Sequence, residues 1–352
     1  MPKVAVILIN YKDYAKKYLP ECIASLRNQS YPKDSFKVFI VDNATTAETE
    51  KYLCEIAPEA EIILEEKNTG FALGNNLAME RALAADYDYI VLFNMDTVAD
   101  PEWLRELVAA TEANKNVGAA QSLIRLHPEK EKINSLGNEM HFLCFGFCRG
   151  YGEQVSNIKY PISNDFFYAS GAAVLYPVKV LREIGIFDPE FFMYHEDTDL
   201  SWRVRQAGYK IILAEKSIMY HKYQFSRSIL QFYYMERNRL IMIFENYRLG
   251  TLILIFLPFF FMELGMLAYA ALRGLFTTKL KVYGYFFHFK NWQRMIKNKR
   301  AKAKSRKVKD RELARLIVGK LEFQEIANPI LKYIVNPVFN IYWRAVRNLI
   351  FW

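Results

Sequence analysis

Three carboxylates lie within four positions of one another in a segment rich in aromatic residues. The segment, FFMYHEDTDLSWR at 191–203, contains Glu196, Asp197 and Asp199. Apolar residues recur at helical spacing after it, so we expect a helix to begin here. The aromatic neighbours would partly desolvate the acids, and a desolvated carboxylate is a better proton acceptor. A structural role is the alternative, because acids suit the first turn of a helix and Asp199 can pair with Arg203 one turn later.

The elements that would position these acids alternate between strands and helices. Short apolar runs predict buried strands at Val4–Ile9, Val38–Val41, Ile62–Leu64 and Ile90–Phe93. Helical patterns lie between and after them, at about 15–28, 46–57, 71–85 and 101–114. This alternation predicts an α/β fold with a mostly parallel sheet, in which ligands bind at the carboxyl ends of the strands.

Polar residues follow each of these four strands, where that edge of the sheet would lie. They are Asn10-Tyr11, Asp42-Asn43, Asn68-Thr69-Gly70 and Asn94-Met95-Asp96. The carboxylate of Asp42 can accept a hydrogen bond from a base or a ribose, and Asp96 can hold Mg²⁺ or Mn²⁺ on a diphosphate. No Gly-x-Gly-x-x-Gly follows the first strand and no P-loop is present, which disfavours the usual dinucleotide and P-loop chemistries.

Two later features add to this set. Phe166–Tyr176 predicts another strand, in which Gly171 would let a ligand or a second backbone approach closely. His221 lies just past a strand predicted at Lys210–Leu213, in the same half of the chain as the acids. Histidine is a common metal ligand, so His221 is a second candidate for binding the cation.

The 352-residue chain is basic and rich in aromatic residues, with a formal charge of +9. Nucleic acid, anionic lipid and phosphorylated substrates all suit such a composition. The apolar run at residues 3–10 is too short for a secretory signal, and four scattered cysteines indicate reduced thiols in a cytoplasm. His141, Cys144 and Cys148 have the residue types of a zinc site but no clear fourth ligand nearby, so we interpret them as packing residues.

Six motifs together make the chain resemble the family 2 glycosyltransferases of the GT-A fold, most closely their bacterial rhamnosyltransferase-like branch. In chain order they are ILINY, VDNAT, NTGFALGNN, LFNMDT, SGAAVLY and IGIFDPEFFMYHEDTDLSWR. The resemblance covers about residues 3–245. It implies a Rossmann-like GT-A catalytic domain, a nucleotide-sugar donor and a divalent cation, Mn²⁺ or Mg²⁺.

The resemblance also implies roles for individual residues. Asp197 would be the catalytic base, while Asp96 and His221 would bind the metal. Together with the strand-end residues, the predicted donor-binding set is Asn10, Tyr11, Asp42, Asn43, Asn68, Gly70, Asn76, Asn94, Asp96 and Gly171. Glu196 and Asp199 would orient the acceptor or cap the helix, and Trp202 would stack on a sugar face.

Two positions depart from the family pattern. Asn94 replaces the first acid of an Asp-x-Asp motif, and an amide is a weaker metal ligand than a carboxylate. Tyr176-Pro177 stands where the family frequently has an arginine, so a contact made by that arginine is not expected here.

The remainder of the chain predicts a helical, membrane-associated region. The catalytic domain would occupy residues 1–246, with apolar and amphipathic helices at 247–292 and a basic helical region at 293–352. Leu249–Leu272 is long and apolar enough to span a bilayer, and ten Lys and Arg residues lie within 294–311. Basic residues beside apolar sequence indicate anionic lipid, and no nucleic-acid-binding motif accompanies them.

The topology follows from where sugar nucleotides occur. They are cytoplasmic, and a full span would place the basic run on the outside, against the positive-inside tendency. We therefore expect monotopic association with the cytoplasmic face of the cell membrane, through a re-entrant or in-plane insertion broken at Pro258.

The predicted function is an inverting, metal-dependent transfer of a hexose or deoxyhexose, such as rhamnose, from a dTDP- or UDP-sugar. The acceptor would be a lipid-linked or cell-surface glycan. Transfer to polyprenyl phosphate is an alternative, as is a catalytically inactive protein that binds sugar nucleotides at the membrane. Nucleic-acid binding has the least support, because only the basic run favours it.

Overall fold

The computed structural model describes residues 1–223, 228–322 and 329–352. Its strands are β1 (Val4–Tyr11), β2 (Phe36–Asn43), β3 (Glu61–Glu65), β4 (Tyr89–Phe93), β5 (Thr97–Ala99), β6 (Val117–Leu126), β7 (Ile133–Ser135), β8 (Asn138–His141), β9 (Gly146–Cys148), β10 (Ala173–Pro177), β11 (Lys210–His221) and β12 (Ile317–Val318). Its helices are α1 (Tyr14–Arg27), α2 (Ala47–Ile56), α3 (Gly70–Ala84), α4 (Trp103–Ala113), α5 (Val178–Ile184), α6 (Glu196–Gln206), α7 (Ile229–Asn246), α8 (Leu249–Leu272), α9 (Phe276–Tyr285), α10 (Phe289–Ser305), α11 (Asp310–Leu313) and α12 (Asn336–Val346).

The chain forms two compact units. The first contains Met1–Asn138, Cys148–Val204 and the chain from Tyr209 through residue 223. The second contains Glu139–Phe147, Arg205–Gly208 and the described residues after 227. The helix α7 belongs to the second unit, where it packs against α9 and α10.

A mixed sheet forms the centre of the first unit, in the order β3-β2-β1-β4-β10-β6-β11-β5. The first four strands are parallel, as the βαβ pattern predicts. The parallel run ends at β10, which is antiparallel to both of its neighbours, and β5 pairs antiparallel with β11. The α/β prediction is confirmed, with the parallel arrangement concentrated in the N-terminal half.

The strand β1 lies in the interior of the sheet, between β2 and β4. Its residues from Val4 to Leu8 are almost fully buried, as expected for a parallel strand covered by helices on each side. Trp103 of α4 is fully buried in the same core, and its indole N–H donates to Ser122 Oγ at 2.8 Å. This bond gives the indole N–H an acceptor, since burying an N–H group without a hydrogen-bond partner costs free energy.

The predicted strand at Phe166–Tyr176 is much shorter in the structure, where β10 begins at Ala173. The residues before it make other hydrogen bonds. Phe167 N–H donates to the Asn138 carbonyl, and Ser170 N–H donates to Gln121 Oε1. Because these backbone N–H groups donate outside the strand ladder, the segment forms a loop that leads into β10.

A buried ionic cluster organises the second unit. Arg239 on α7 pairs with Glu236 and with Glu263 of α8. Lys279 on α9 is completely buried and lies 2.5 Å from Glu236 and 2.8 Å from Glu263. Removing one partner of such a cluster leaves an uncompensated buried charge, at a cost of about 3–5 kcal/mol. One face of α8 is therefore fixed against α7 and α9.

The helix α8 is continuous through Pro258, so the predicted break there is wrong. Proline has no N–H, which leaves the carbonyl four residues earlier, that of Leu254, without its helical partner. The Tyr342 hydroxyl on α12 donates to this carbonyl instead. A side chain from a distant helix thus replaces the missing bond.

The other face of α8 is apolar and exposed. Ile253, Phe256, Leu257 and Phe261 are each 56–66% exposed. Among the described helices, α8 is the one whose length and composition would allow it to cross a membrane.

The basic run at 294–311 is only partly available to a lipid surface. Lys302 is buried against Glu245 at 2.7 Å, and Arg306 is paired with Asp310. Lys299 donates to two backbone carbonyls. Six of the ten cations are exposed, namely Lys297, Arg300, Lys304, Lys307, Lys309 and Arg311.

The histidine that was considered for a zinc site lies in the packed interior of the second unit. His141 is fully buried and stacks on Phe339, and burial lowers its pKa to about 3. All four cysteines are free thiols. Within the described parts of the chain, no group of three or more His, Cys, Asp or Glu side chains is placed to hold a metal ion.

Candidate active site

The acidic segment lies at the start of α6, after a strained stretch of backbone. Phe192, Tyr194 and His195 have φ values of 60°, 67° and 69°, in the left-handed region that non-glycine residues rarely adopt. Such conformations cost about 1–3 kcal/mol each and persist only where the surrounding structure enforces them. The strain ends where Glu196 and Asp197 begin, which indicates that the fold holds these acids in a set geometry.

Asp197 accepts hydrogen bonds at both carboxylate oxygens. The Gly171 N–H donates to Oδ2 at 2.9 Å, while the Thr198 N–H and hydroxyl donate to Oδ1 at 2.6 and 3.0 Å. Burial raises the pKa of Asp197, and these hydrogen bonds oppose that rise. Asp197 remains partly exposed to solvent.

Glu196 differs from its neighbour in its surroundings. Its side chain is 6% exposed, and Oε2 has no hydrogen-bond partner among the described residues. Burial and the nearby charge of Asp197 both raise the pKa of Glu196 well above its usual value. Two adjacent carboxyls in such different surroundings favour one neutral and one ionised group. Because only Asp197 has hydrogen-bond donors on both oxygens, we assign the charge to Asp197 and the proton to Glu196.

The loop before β10 connects Asp197 with the end of β4. Gly171 donates to Asp197, and the next residue, Ala172, accepts a bond from the Asn94 N–H at 2.9 Å. Asp96 lies two positions after Asn94. The predicted base and the predicted metal ligand therefore belong to one hydrogen-bonded edge of the sheet.

Asp96 lies beside His221, with 3.4 Å between Oδ1 and the histidine Nε2. Burial alone would raise the pKa of Asp96, but His221 and a hydrogen bond from the Tyr14 hydroxyl outweigh it and lower the pKa. On the other side of the ring, His221 Nδ1 lies 3.0 Å from Asn134 Oδ1. An amide oxygen accepts from Nδ1–H, which leaves Nε2 as the nitrogen directed at Asp96.

This arrangement fits a divalent cation that is shared with a ligand. A metal-bound histidine usually donates its other N–H to an oxygen, as His221 does to Asn134. Mg²⁺ and similar ions are often held by one or two side chains and completed by substrate phosphates and water. Asp96 and His221 are two side chains that could supply such ligands.

The first two strand ends are joined by buried polar side chains. Asn10 Nδ2 donates to Asp42 Oδ1 at 2.7 Å, and the Thr49 hydroxyl donates to Asp42 Oδ2 at 2.6 Å. Asn10 and Asp42 are fully buried, while Tyr11 is 40% exposed. Asn10 and Asp42 thus shape the edge, and Tyr11 offers an accessible ring beside them.

The third strand end is tied to the second. Asn43 donates to the Gly70 carbonyl at 2.9 Å and accepts from the Thr69 N–H at 2.8 Å. Asn68 Oδ1 accepts from the Gly70 N–H at 3.0 Å. Gly70 has a φ of 78°, and a Cβ placed there would lie 2.4 Å from the Phe192 carbonyl oxygen. This position therefore requires glycine.

Three further residues predicted to bind substrates also have partners within the protein. Asn76 is buried, donates to the Phe187 carbonyl and accepts from the Phe187 N–H. Asp199 is fully buried with Arg203 Nε 2.9 Å from its Oδ2, which is the structural alternative considered from sequence. Trp202 is fully buried against the Phe167 ring, with no face open to a sugar. We therefore exclude Asp199 and Trp202 from acceptor binding and regard Asn76 as a positioning residue.

Sequence reasoning missed three residues of this site. Tyr14 contacts Asp96, and Asn134 contacts His221. Thr198 contacts Asp197. Tyr14 and Asn134 carry no local signal, because each lies far along the chain from its partner. Thr198 follows Asp197 directly, and a hydroxyl in the first turn of a helix was a usable signal.

Comparison with known proteins identifies the family. The sequence model of glycosyl transferase family 2 matches residues 5–185, more than half of the chain. The chain belongs to this family. The match ends before Glu196 and Asp197, so the family model does not cover these two acids.

Two relatives of this glycosyltransferase are similar over part of their length. An uncharacterized glycosyltransferase from Haemophilus influenzae is 28% identical over 133 residues, which cover 37% of this chain and 39% of that protein. The N-acetylglucosaminyl-diphospho-decaprenol L-rhamnosyltransferase of Mycobacterium tuberculosis is 24% identical over 206 residues, which cover 53% of this chain and 66% of that protein. The glycosyltransferase thus spans less than two thirds of either relative.

A solved structure confirms the GT-A fold. The mannosyltransferase PcManGT from Pyrobaculum calidifontis, crystallised with GDP-mannose and Mn²⁺, superposes with a TM-score of 0.51 over 86% of each chain. The two sequences are 15% identical, so the likeness concerns the fold alone.

Proposed function

We propose that this glycosyltransferase transfers a sugar from a nucleotide-sugar donor to a glycan or lipid-linked acceptor, with inversion at the anomeric carbon. Asp197 is the base. The observation that carries the proposal is the pair of hydrogen bonds that join Asp197, through the loop at Gly171 and Ala172, to the strand end that leads to Asp96. In the proposed reaction, these bonds would hold the base and the metal-binding acid at one edge of the sheet.

The reaction requires a proton acceptor on one side of the sugar and charge stabilisation on the other. Asp197 removes the proton from the acceptor hydroxyl as its oxygen forms a bond to the anomeric carbon. The bond from that carbon to the diphosphate breaks, and the nucleoside diphosphate leaves with the electron pair. A single displacement of this kind inverts the configuration. Glu196, neutral and buried beside Asp197, adds no second negative charge next to the base.

Asp96 and His221 would hold a divalent cation at the diphosphate. When bound, such an ion stabilises the negative charge that develops on the leaving group. Asn134 orients His221 for this role through its contact at 3.0 Å. Tyr11, exposed at the end of β1, is the accessible ring for stacking on the donor base.

We propose a dTDP- or UDP-hexose or deoxyhexose such as rhamnose as the donor, and a lipid-linked or cell-surface glycan as the acceptor. The name of the Mycobacterium tuberculosis relative describes rhamnose transfer to a lipid-linked sugar, which supports this choice. The exposed apolar face of α8 supports work at the cytoplasmic face of a membrane. Polyprenyl phosphate as acceptor and an inactive sugar-nucleotide-binding protein are the alternatives.

A panel of sugar nucleotides, tested with purified protein and its Asp197→Asn variant, examines the proposal. The variant keeps the size of the side chain but cannot accept the proton, so turnover should fall about 10²–10⁴-fold. Donor affinity, measured by calorimetry, should change by less than roughly threefold, or about 0.7 kcal/mol. Asp86→Asn, at a highly exposed site on the surface, is the matched control. Near-native turnover with Asn at 197 would show that the base is another group.

A further inference from the structure

A basic cavity lies within the second unit, and the proposed transfer reaction does not use it. Its volume is about 280 Å³. The residues that line it are Gln206, Glu245, Tyr247, Arg248, Lys299, Lys302, Ala303 and Arg306. Four of these side chains are cationic and one is acidic. All eight belong to the second unit.

Ion pairing does not cancel this positive charge. Lys302 lies 2.7 Å from Glu245, and Arg306 pairs with Asp310, which does not line the cavity. Counting both acids, the four cations still exceed the carboxylates by two. The Arg248 side chain is exposed and forms no ion pair or hydrogen bond with the described residues.

Lys299 shows that part of this charge is held away from water. Its ammonium group donates to the carbonyls of Phe244 and Tyr247 at 2.6 and 2.7 Å. Burial lowers the pKa of Lys299, as expected for a cation without full charge compensation. A bound anion would supply that compensation.

A neutral acceptor lies beside the cations. Gln206 is 2% exposed, and its amide N–H donates to the Asn246 carbonyl at 3.0 Å. Its Oε1 is buried and has no hydrogen-bond partner in the described parts of the chain. Since it can only accept, it suits a ligand that carries a donor, such as a hydroxyl, next to its charged group.

We propose that this cavity binds a phosphate ester, with the phosphate between Arg248, Lys299 and Arg306 and a ligand hydroxyl at Gln206. Arginine and lysine are the usual partners of phosphate oxygens. Two surplus positive charges match the charge of a phosphate monoester near neutral pH.

The ester group has two sources, a lipid head group or a free phosphorylated metabolite. Arg248 directly precedes α8, whose exposed apolar residues begin at Leu249, 70% exposed, and continue at Ile253. A lipid whose phosphate occupied the cavity would therefore have apolar side chains beside its acyl chains. The site does not depend on the transfer reaction, and its failure would leave that proposal unaffected.

The test uses the full-length protein and two matched pairs of variants. Ala303→Glu places a carboxylate in the cavity wall, whereas Ala301→Glu makes the same charge change at another exposed position of the same helix. Arg248→Gln removes a lining cation, and Arg300→Gln removes an exposed cation of α10 outside the lining. Circular dichroism establishes that each variant is folded. Calorimetry then measures the binding of inorganic phosphate, glycerol phosphate and dihexanoyl phosphatidate below its micelle concentration, at constant ionic strength.

We expect Ala303→Glu and Arg248→Gln to weaken binding about 10- to 100-fold, which is the effect of one charged hydrogen bond. The Ala301→Glu and Arg300→Gln variants should bind as the native protein does. Tighter binding of the phosphatidate than of glycerol phosphate assigns the site to lipid, and equal binding assigns it to a soluble ester. Absence of saturable binding for all three probes, or equal losses at 301 and 303, would overturn the proposal.

Discussion

Replacing Gly70 with alanine tests how the loop at residues 68–70 supports the acidic segment. Gly70 and Gly152 have nearly equal φ values, 78° and 76°. The left-handed backbone strains an alanine at either position by about 1–2 kcal/mol. Alanine also lowers the conformational entropy of the unfolded chain, which partly offsets this strain. These two contributions are common to both sites. The Gly152→Ala variant, where an added Cβ meets no described atom within 4 Å, therefore serves as the control.

The difference between the two variants comes from Phe192. At position 70 the new Cβ would lie 2.4 Å from the Phe192 carbonyl oxygen and 2.6 Å from its ring. The same carbonyl accepts the Ala72 N–H at 3.0 Å, so moving it away weakens that bond. Overpacking costs about 1–3 kcal/mol and a lost hydrogen bond about 0.5–1.5 kcal/mol. Gly70→Ala should therefore lower the free energy of unfolding by about 2–4 kcal/mol more than Gly152→Ala does.

Urea unfolding of the two variants measures this difference. A functional consequence should accompany it, because Phe192 opens the strained stretch that leads to Glu196 and Asp197. Turnover by Gly70→Ala should fall further than donor affinity does. Equal unfolding free energies for the two variants would refute the packing argument. A destabilised Gly70→Ala variant with native turnover would refute the link between the loop and the acids.

Three further predictions concern charge, metal and membrane. The raised pKa of Glu196 means that its neutral carboxyl stabilises the native state. This stabilisation is fully present below pH 4.5, the ordinary pKa of a glutamate, and is lost as pH rises through the pKa of Glu196 in the folded protein. In urea unfolding, the free energy of unfolding of Glu196→Gln should therefore rise with pH relative to that of the native protein. A difference between the two that does not change with pH would contradict the pKa assignment. Asn134→Ala should weaken Mn²⁺ affinity roughly 10–100-fold by calorimetry, and unchanged affinity would remove His221 from the metal site. Replacing Phe256 and Phe261 with serine should reduce sedimentation of the protein with liposomes more than high salt does, because salt screens charge but not apolar insertion. Release of the native protein by salt alone would contradict this prediction.

Local sequence patterns were sufficient to predict the first four strands, the helices between them and the polar strand ends. The apolar runs of β1 to β4 and the polar residues after them are local patterns, and each was placed within a few residues of its observed position. The start of α6 was read correctly for the same reason, since a helix depends on residues three and four apart. The ion pair between Asp199 and Arg203 was likewise visible as a local alternative.

Which polar residues remain accessible depends on tertiary contacts that no local pattern encodes. Trp202 and Asp197 are five positions apart on one helix, yet the first is in the core and the second is partly exposed, because burial depends on what packs against each face. The continuity of α8 through Pro258 depends on Tyr342, which lies 88 residues from the carbonyl it satisfies. Lys302 faces Glu245 and is unavailable to lipid, although composition alone assigns it to a basic surface. These outcomes rest on contacts between residues distant in the chain, which local periodicity and composition do not encode.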